Sequence, residues 1–260
     1  MVVLDQLHRS VDLKQKPIRI VSLVPSQTEL LVHLGLENSV VGITKFCVHP
    51  NHILKSKTIV GGTKQIHVDK IKTLQPDIIL CNKEENTPEI IESLNKVAPI
   101  HISDVNNLED CFELIKMYGE IFEVEDRALD LIENIKKERL DFRAIIQNRE
   151  KRKVAYFIWK KPWMAVASET FINCMINDAG FENVFKGEKR YPEIKLDNPK
   201  LKEAEVILLS SEPYPFKEKH IKELKLIFPD KEVVIVDGEL FSWYGSRLLE
   251  SYKYFSRLFA

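Results

Sequence analysis

Apolar residues recur along this chain in two alternating textures. Short continuous runs rich in β-branched residues, "RIVSLV" (19–24), "VVGIT" (40–44) and "DIILC" (77–81), read as buried strands. Between them lie segments with helical spacing. "TELLVHLG" follows Pro25 and closes at Gly35, and Ser26 with Glu29 three residues on predicts a capping box at its start. "VDKIKTLQP" (68–76) is helical and stops at Pro76. Alternation of strand and helix predicts parallel α/β layering.

The texture changes near residue 124. Glu125–Asn148 contains neither Gly nor Pro, and Ala128, Leu131, Ile132, Ile135, Phe142, Ile145 and Ile146 mark one stripe at helical spacing. A second α/β run begins at "VAYFIW" (154–159). It echoes the first: "TELLVHLGLENSV" (28–40) resembles "TFINCMINDAGFENVF" (170–185), and "PDIILCNKEE" (76–85) resembles "AEVILLSSEP" (204–213). The expected organisation is an N-terminal α/β lobe (1–123), a linking helix (124–150) and a C-terminal α/β lobe (151–260), both lobes Rossmann-like with parallel sheets. Ligands of such pairs bind between the lobes, at loops beyond the carboxyl ends of strands.

Composition narrows the function. A formal net charge of −1 supplies no basic face for nucleic acid. The four cysteines, Cys47, Cys81, Cys111 and Cys174, contain no CxxC pair and do not form a disulfide framework. The apolar run at the N-terminus stops at Leu4, with Asp5 next, so no secretory signal is expected there. No run approaches the ~20 apolar residues of a membrane span. There is no P-loop and no nucleophile elbow, an absence that by itself says little against catalysis.

Candidate binding chemistry gathers at predicted strand ends. "ELFSWYGSRLL" (239–249) sets Phe241, Trp243 and Tyr244 beside Arg247, a surface for a large, flat, partly anionic ligand or else internal packing. "FIWKKPWMAVAS" (157–168) reads as a hairpin, with Trp159 and Trp163 each balanced between pocket and core. Arg190 and Tyr191 are poised between a loop role and ligand contact. Glu212, in "SSEPYPF", is suited to a cationic group, to pairing with Arg247, or to solvent. "VGGTK" (60–64) suggests a nest of backbone N–H groups beside Lys64, or a plain turn.

The stretch "RSVDLKQKPIRIVSLVPSQTELLVHLGL", followed in order by "VVGIT", "GGTKQIHVDKIKTLQPDIIL", "FENVF", "RYPEI", "EAEVILLSSEP" and "SWYGSRLLE", resembles the helical-backbone (class III) periplasmic solute-binding proteins of ABC importers for vitamin B12, haem or ferric siderophores. The resemblance covers nearly the whole chain and does not fix the ligand. It implies a non-enzymatic role with no required cofactor, a metal chelate as cargo, cleft aromatics at Phe46 and near Trp159, Trp163 and Trp243, and an ABC permease as partner. Permease arginines would dock on acids matched here by Asp69 and Asp197. It also implies a monomer in the periplasm or at the cell surface, with the N-terminus leaving a cytoplasmic location open. Thr63 and Asn82 stand where the B12 binders carry tryptophan, so a polar, cationic wall is expected in place of part of the aromatic one.

Two rival readings remain at this level. One is an intracellular tetrapyrrole- or metal-handling carrier or enzyme on the same scaffold. The other is direct binding of a transition-metal ion by Cys47, His49 and His67, set against Cys47 as a small buried hydrophobe and His49 as a loop residue.

Overall fold

A computed structural model describes residues 1–258; 259–260, the end of the expected C-terminal lobe, lie outside the described residues. The chain divides into two compact units, each a mixed α/β body built on a parallel sheet. The N-terminal unit takes residues up to Val105, Glu109–Lys136 and the short segment Tyr244–Arg247. The C-terminal unit takes Asn106–Leu108, Lys137–Trp243 and the chain from Leu248 onward.

In the N-terminal unit five parallel strands lie in the order Thr58–Ile59, Val40–Ile43, Ile20–Ser22, Ile78–Asn82, Ile100–Ser103. The first strand in sequence is central, so the order reverses beside it, the place where parallel sheets open a crevice at their carboxyl ends. Ile20–Ser22 and Ile78–Asn82 are buried on both faces, which is why they read as continuous apolar runs, whereas the edge strand Thr58–Ile59 is exposed. A two-stranded antiparallel hairpin, Val2–Leu4 with Ser10–Asp12, precedes them.

The helix Pro25–His33 corrects one expectation. Val24 is its N-cap and makes no side-chain cap bond, so the Ser26–Glu29 capping box does not form. Proline starts the helix instead, since its fixed φ suits the first position. The predicted end holds. Leu36 N–H donates to Leu31 O and Gly35 N–H to Val32 O, both at 2.9 Å, with Gly35 left-handed at φ 77°. Glycine is needed for a second reason: Arg127 Nη1 donates to Leu34 O at 2.8 Å and lies where a Cβ on Gly35 would project.

Leu108–Phe122 and Glu125–Ile146 are separate helices. Glu123, left-handed at φ 52°, ends the first, and Val124 N–H donates back to Gly119 O at 2.9 Å. The second helix is close to its expected length, and the boundary between the units falls within it, after Lys136. Ala128, Leu131, Ile132, Ile135 and Phe142 are buried as the stripe predicts. Ile145 is not; it stands half exposed where the helix nears its end.

In the C-terminal unit four parallel strands run Phe181–Asn183, Arg152–Trp159, Val206–Ser210, Glu232–Val236. Met164–Ala165 folds back antiparallel on Arg152–Trp159, forming the predicted hairpin. As in the other unit, the first strand is flanked by the second and a later one. The helix after it, Phe171–Asp178, ends at a left-handed glycine, Gly180 at φ 83°. Asp178 is this unit's buried anchor. It accepts from Arg139 Nε and Nη2, Arg143 Nη2 and Tyr252 Oη at 2.7–3.0 Å. Burial alone would raise this carboxyl, but the two arginines and the tyrosine hold it below the usual carboxylate range.

His101 carries a pH prediction. It is wholly buried on Ile100–Ser103, edge-on to Tyr118 at 5.5 Å, and neither ring nitrogen has a hydrogen-bond partner. Burial pushes its pKa down to about 4, against an upward pull from Asp5 and with a further push down from Arg9. A histidine lowered in the folded state contributes stability above its unfolded pKa and loses it as pH falls toward the folded value. Unfolding free energy should therefore drop by about 3 kcal/mol between pH ~6.5 and ~4 from this group. Urea titrations of His101→Phe should lack that part of the acid slope; an unchanged slope contradicts the assignment.

Candidate ligand-binding site

The N-terminal unit offers a cavity of about 570 Å³ beyond the carboxyl ends of Val40–Ile43 and Thr58–Ile59. Its construction begins with Cys47. The Sγ is buried between Thr28 Oγ1 at 3.2 Å and Thr44 Oγ1 at 3.3 Å, and Cys47 N–H donates to Thr44 O. Turning Cys47 inward turns the preceding Lys45 and Phe46 outward. Phe46 is 49% exposed, and Lys45 Nζ stands 5.0 Å from its ring centroid.

The opposite wall is the glycine turn. Gly61 bridges Ile66, Lys45 N–H donates to Gly61 O, and Gly62 N–H donates to Gln65 O. Gly61 sits at φ 134°, and a Cβ there would meet the Gln65 carbonyl at 2.4 Å. A Cβ on Gly62 would come within 3.1 Å of the Phe46 ring. The stretch is thus a closed turn with the Gly62 N–H spent internally, the plain-turn alternative rather than the nest. Lys64 Nζ donates to Glu84 O at 2.6 Å, fixing it at the rim. Lys45, Lys64, Lys70 and His67 line the cavity together with Phe46 and Ile59, and no carboxylate does. The surface is cationic with an exposed aromatic face, able to hold a flat anionic group by charge and stacking.

A buried polar network lies at the carboxyl ends of the strands Ile78–Asn82 and Ile100–Ser103. Gln27 Nε2 donates to Ser103 Oγ at 2.6 Å and to Tyr244 Oη at 3.0 Å, while Tyr118 Oη donates to Gln27 Oε1 at 2.7 Å. Asn82 Nδ2 donates to Ser103 Oγ at 3.0 Å. Tyr244 is consequently an internal residue, its hydroxyl pushed far up by burial. Arg247 is drawn into an ion pair with Glu29, with Nε and Nη2 at 2.9 and 2.7 Å from the carboxylate. Phe241 is fully buried against Tyr156 and Phe255. The stretch that looked most like an open aromatic surface with one cation is mostly packed and bonded within the protein.

In the C-terminal unit, Trp159 is 39% exposed and meets Tyr214 edge-on at 5.6 Å. Trp163 instead stacks on Phe216 at 5.7 Å and packs against the core, with Lys160 Nζ over its ring. Arg190, left-handed at φ 58°, donates to Glu169 O and lies over Tyr191. Glu212 accepts from Ser242 Oγ at 3.0 Å and Trp243 Nε1 at 3.1 Å. Trp243 is buried. Burial raises the Glu212 carboxyl, Glu239 and Asp237 raise it further, and the two donors oppose them. With Ser211, Asp237 and Glu239 it lines an acidic hollow of about 410 Å³ at the ends of Val206–Ser210 and Glu232–Val236. Asp69, in the first turn of Val68–Thr73, has an almost fully exposed side chain 3.4 Å from Lys72 Nζ, and Asp197 is exposed before Lys200–Glu203.

Cys47, His49 and His67 are not gathered into a metal site. Among the described residues, no group of three or more His, Cys, Asp or Glu side chains is placed to hold an ion. The thiol is enclosed by two threonines and its pKa is raised by burial, whereas His67 is exposed at the cavity mouth. Sequence reasoning missed Lys45, Ile59 and Lys70 in the cavity, and Asp237 and Glu239 in the acidic hollow. Lys45 was the legible one, adjacent to Phe46 just past a strand.

Native-state alkylation checks this placement. Iodoacetamide should label the partly exposed Cys174 and leave Cys47, Cys81 and Cys111 protected until the chain unfolds, because a buried, protonated thiol is a poor nucleophile. Labelling of Cys47 as fast as Cys174, or its suppression by Zn²⁺, would restore the metal reading.

With that geometry described, the chain can be set beside known proteins. The sequence pattern of the periplasmic binding protein family matches residues 20–226. The chain is 27% identical over 204 residues to the vitamin B12-binding protein of a Vibrio vulnificus strain, a match covering 77% of this chain and 74% of that one. It is 27% identical over 181 residues to an uncharacterized ABC transporter substrate-binding lipoprotein of Bacillus subtilis, covering 66% of this chain and 57% of the lipoprotein. Solved structures share the fold. A periplasmic haem-binding protein from Roseiflexus superposes with a TM-score of 0.80 at 17% identity, covering 93% of this chain and 97% of that one. The periplasmic vitamin B12-binding protein of Vibrio cholerae gives 0.79 at 19% identity, covering 93% and 96%. Since the family pattern runs from the first core strand to Leu226, most of the chain, the protein belongs to the periplasmic binding protein family.

Proposed function

We propose that the protein is the solute-binding component of an ABC importer and that its cargo is a metal chelate, such as a corrinoid, haem or ferric siderophore. The observation that carries this reading is the cavity of the N-terminal unit, where a half-exposed Phe46 stands among Lys45, Lys64 and Lys70 with no lining carboxylate. A flat chelate bearing carboxylate or catecholate oxygens matches that surface in shape and charge. Relatives named as vitamin B12-binding, at 24–27% identity in several Vibrio species, support the cargo class. The family supports a role in binding, and no chemical step is assigned to the protein. The metal would arrive within the cargo, with no resident cofactor.

Trp159 is the exposed aromatic of the C-terminal unit and the residue proposed there for cargo contact. Trp163, Trp243, Tyr244 and Arg247 would then act as support for binding residues. Asp69 and Asp197, both exposed acids, are proposed as the contacts to permease arginines. No helix among the described residues is long and apolar enough to cross a membrane.

Equilibrium quenching of tryptophan fluorescence tests the cargo. Haemin, cyanocobalamin, cobinamide and a ferric catecholate form the panel. Binding of at least one chelate should be sub-micromolar, and stronger for the anionic members. Phe46→Ala should weaken it about two- to tenfold, the range of aromatic contacts. Lys45→Glu with Lys64→Glu should weaken it further and flatten the loss with added salt, since the attraction that salt screens has been removed. Saturable quenching by none of the panel, or binding indifferent to all three substitutions, would contradict the proposal.

A further inference from the structure

A loop that does not line the N-terminal cavity holds Lys64 at two points. It follows the strand Ile78–Asn82 and is shaped by two buried asparagines, Asn82 and Asn86. Asn82 Oδ1 accepts from Glu84 N–H at 2.8 Å and from Glu85 N–H at 3.2 Å, which turns the chain back. Asn82 Nδ2 ties that turn to Ser103 O and Oγ on the neighbouring strand. The loop so folded sets Glu84 O where Lys64 Nζ reaches it at 2.6 Å.

Asn86 closes the same loop and extends from it to the glycine turn. Its N–H donates to Asn82 O and its Oδ1 accepts from Asn82 N–H, both at 2.9 Å. Its Nδ2 donates to Thr63 O at 3.0 Å and, over a longer reach, to Leu23 O at 3.4 Å. The bonds to Asn82 and Leu23 belong to the strand ends and stabilise the fold whatever the cavity holds. The bond to Thr63 differs, because it reaches the cavity wall. Thr63 O and Lys64 N–H share one peptide unit, so this bond fixes the backbone from which the Lys64 side chain departs. Lys64 is therefore gripped at its main chain by Asn86 and at its ammonium by Glu84 O. That carbonyl takes one of the three ammonium N–H groups. A lysine left loose loses rotamer freedom when it meets an anion, and holding it beforehand lowers that cost.

We propose that Asn86 is a positioning residue for cargo. Buried at 3% exposure and absent from the cavity lining, it acts through Lys64, presetting the ammonium for an anionic oxygen of the chelate. This role rests on the cargo site proposed above and adds the residue that tunes its charge contact.

A double-mutant cycle tests it, read by tryptophan fluorescence quenching with haemin, cyanocobalamin, cobinamide and a ferric catecholate. Asn86→Ala should weaken the anionic members that bind about three- to tenfold, and Lys64→Met by a similar factor. Adding Asn86→Ala to Lys64→Met should then cost no more than about twofold, because the lysine that the asparagine positions is gone. Asn86→Ala should also flatten the loss of affinity with added salt although it removes no charge, a change that looser packing alone would not produce. Asn86→Ser, whose shorter side chain does not span to Thr63 O, gives the same comparison if the alanine variant fails to fold. Three results overturn this role alone: binding confined to cobinamide, an Asn86→Ala loss undiminished in the Lys64→Met background, or an unchanged salt dependence. Saturable quenching by none of the four chelates overturns the cargo site and this role with it.

Discussion

The side-chain amide of Gln27 joins three parts of the N-terminal unit that lie far apart in sequence: Ser103 on the last strand, Tyr118 on the helix Leu108–Phe122, and Tyr244 near the end of the chain. All are buried, so each hydrogen bond avoids the cost of an unpaired polar group in a low-dielectric interior. Glu29, two residues further along the same helix, pairs with Arg247 and secures the same returning segment from a second side. Tyr244–Arg247 thereby belongs to the N-terminal unit although the residues on both sides of it belong to the other. The helix Pro25–His33 is the common element. Its position fixes Thr28, Thr28 encloses Cys47, and Cys47 determines which way Lys45 and Phe46 face.

The exposed surface of this cavity therefore depends on side chains that do not line it. The segment 44–47 is a turn closed by Cys47 N–H donating to Thr44 O, so its two ends, Thr44 and Cys47, are buried and its two middle residues, Lys45 and Phe46, are presented. The glycine turn opposite adds close backbone approach, and three lysines give the cavity its sign. The C-terminal unit has the contrary character at its strand ends, where Glu212, Asp237 and Glu239 cluster.

Much of the fold was legible because parallel strands buried on both faces leave continuous apolar runs, and because Gly35 and Gly180 occupy left-handed positions that mark helix ends. The site was less legible. Sequence distance hid the pairing of Arg247 with Glu29 and of Tyr244 with Gln27, so residues that looked like ligand donors were already engaged. The Ser26–Glu29 pattern pointed to a capping box that tertiary contacts overrode: Ser26 is buried and Glu29 faces Arg247. Cys47 and His49 shared a plausible ligand spacing, yet local turn bonds to Thr44 and Thr28 took the thiol into the interior. Lys45 and Lys70 carried no motif, and only folding the loops 44–48 and 59–70 over one cavity gives them a shared purpose.

The central claim is that the cavity between Phe46 and the glycine turn receives the cargo, and hydrogen–deuterium exchange with and without a bound chelate tests it most directly. The account predicts slowed exchange in peptides covering 44–48 and 59–70. Amides of the strand Ile20–Ser22, already buried in the sheet, should be unchanged. Protection that spares both loops while a chelate is demonstrably bound would contradict it.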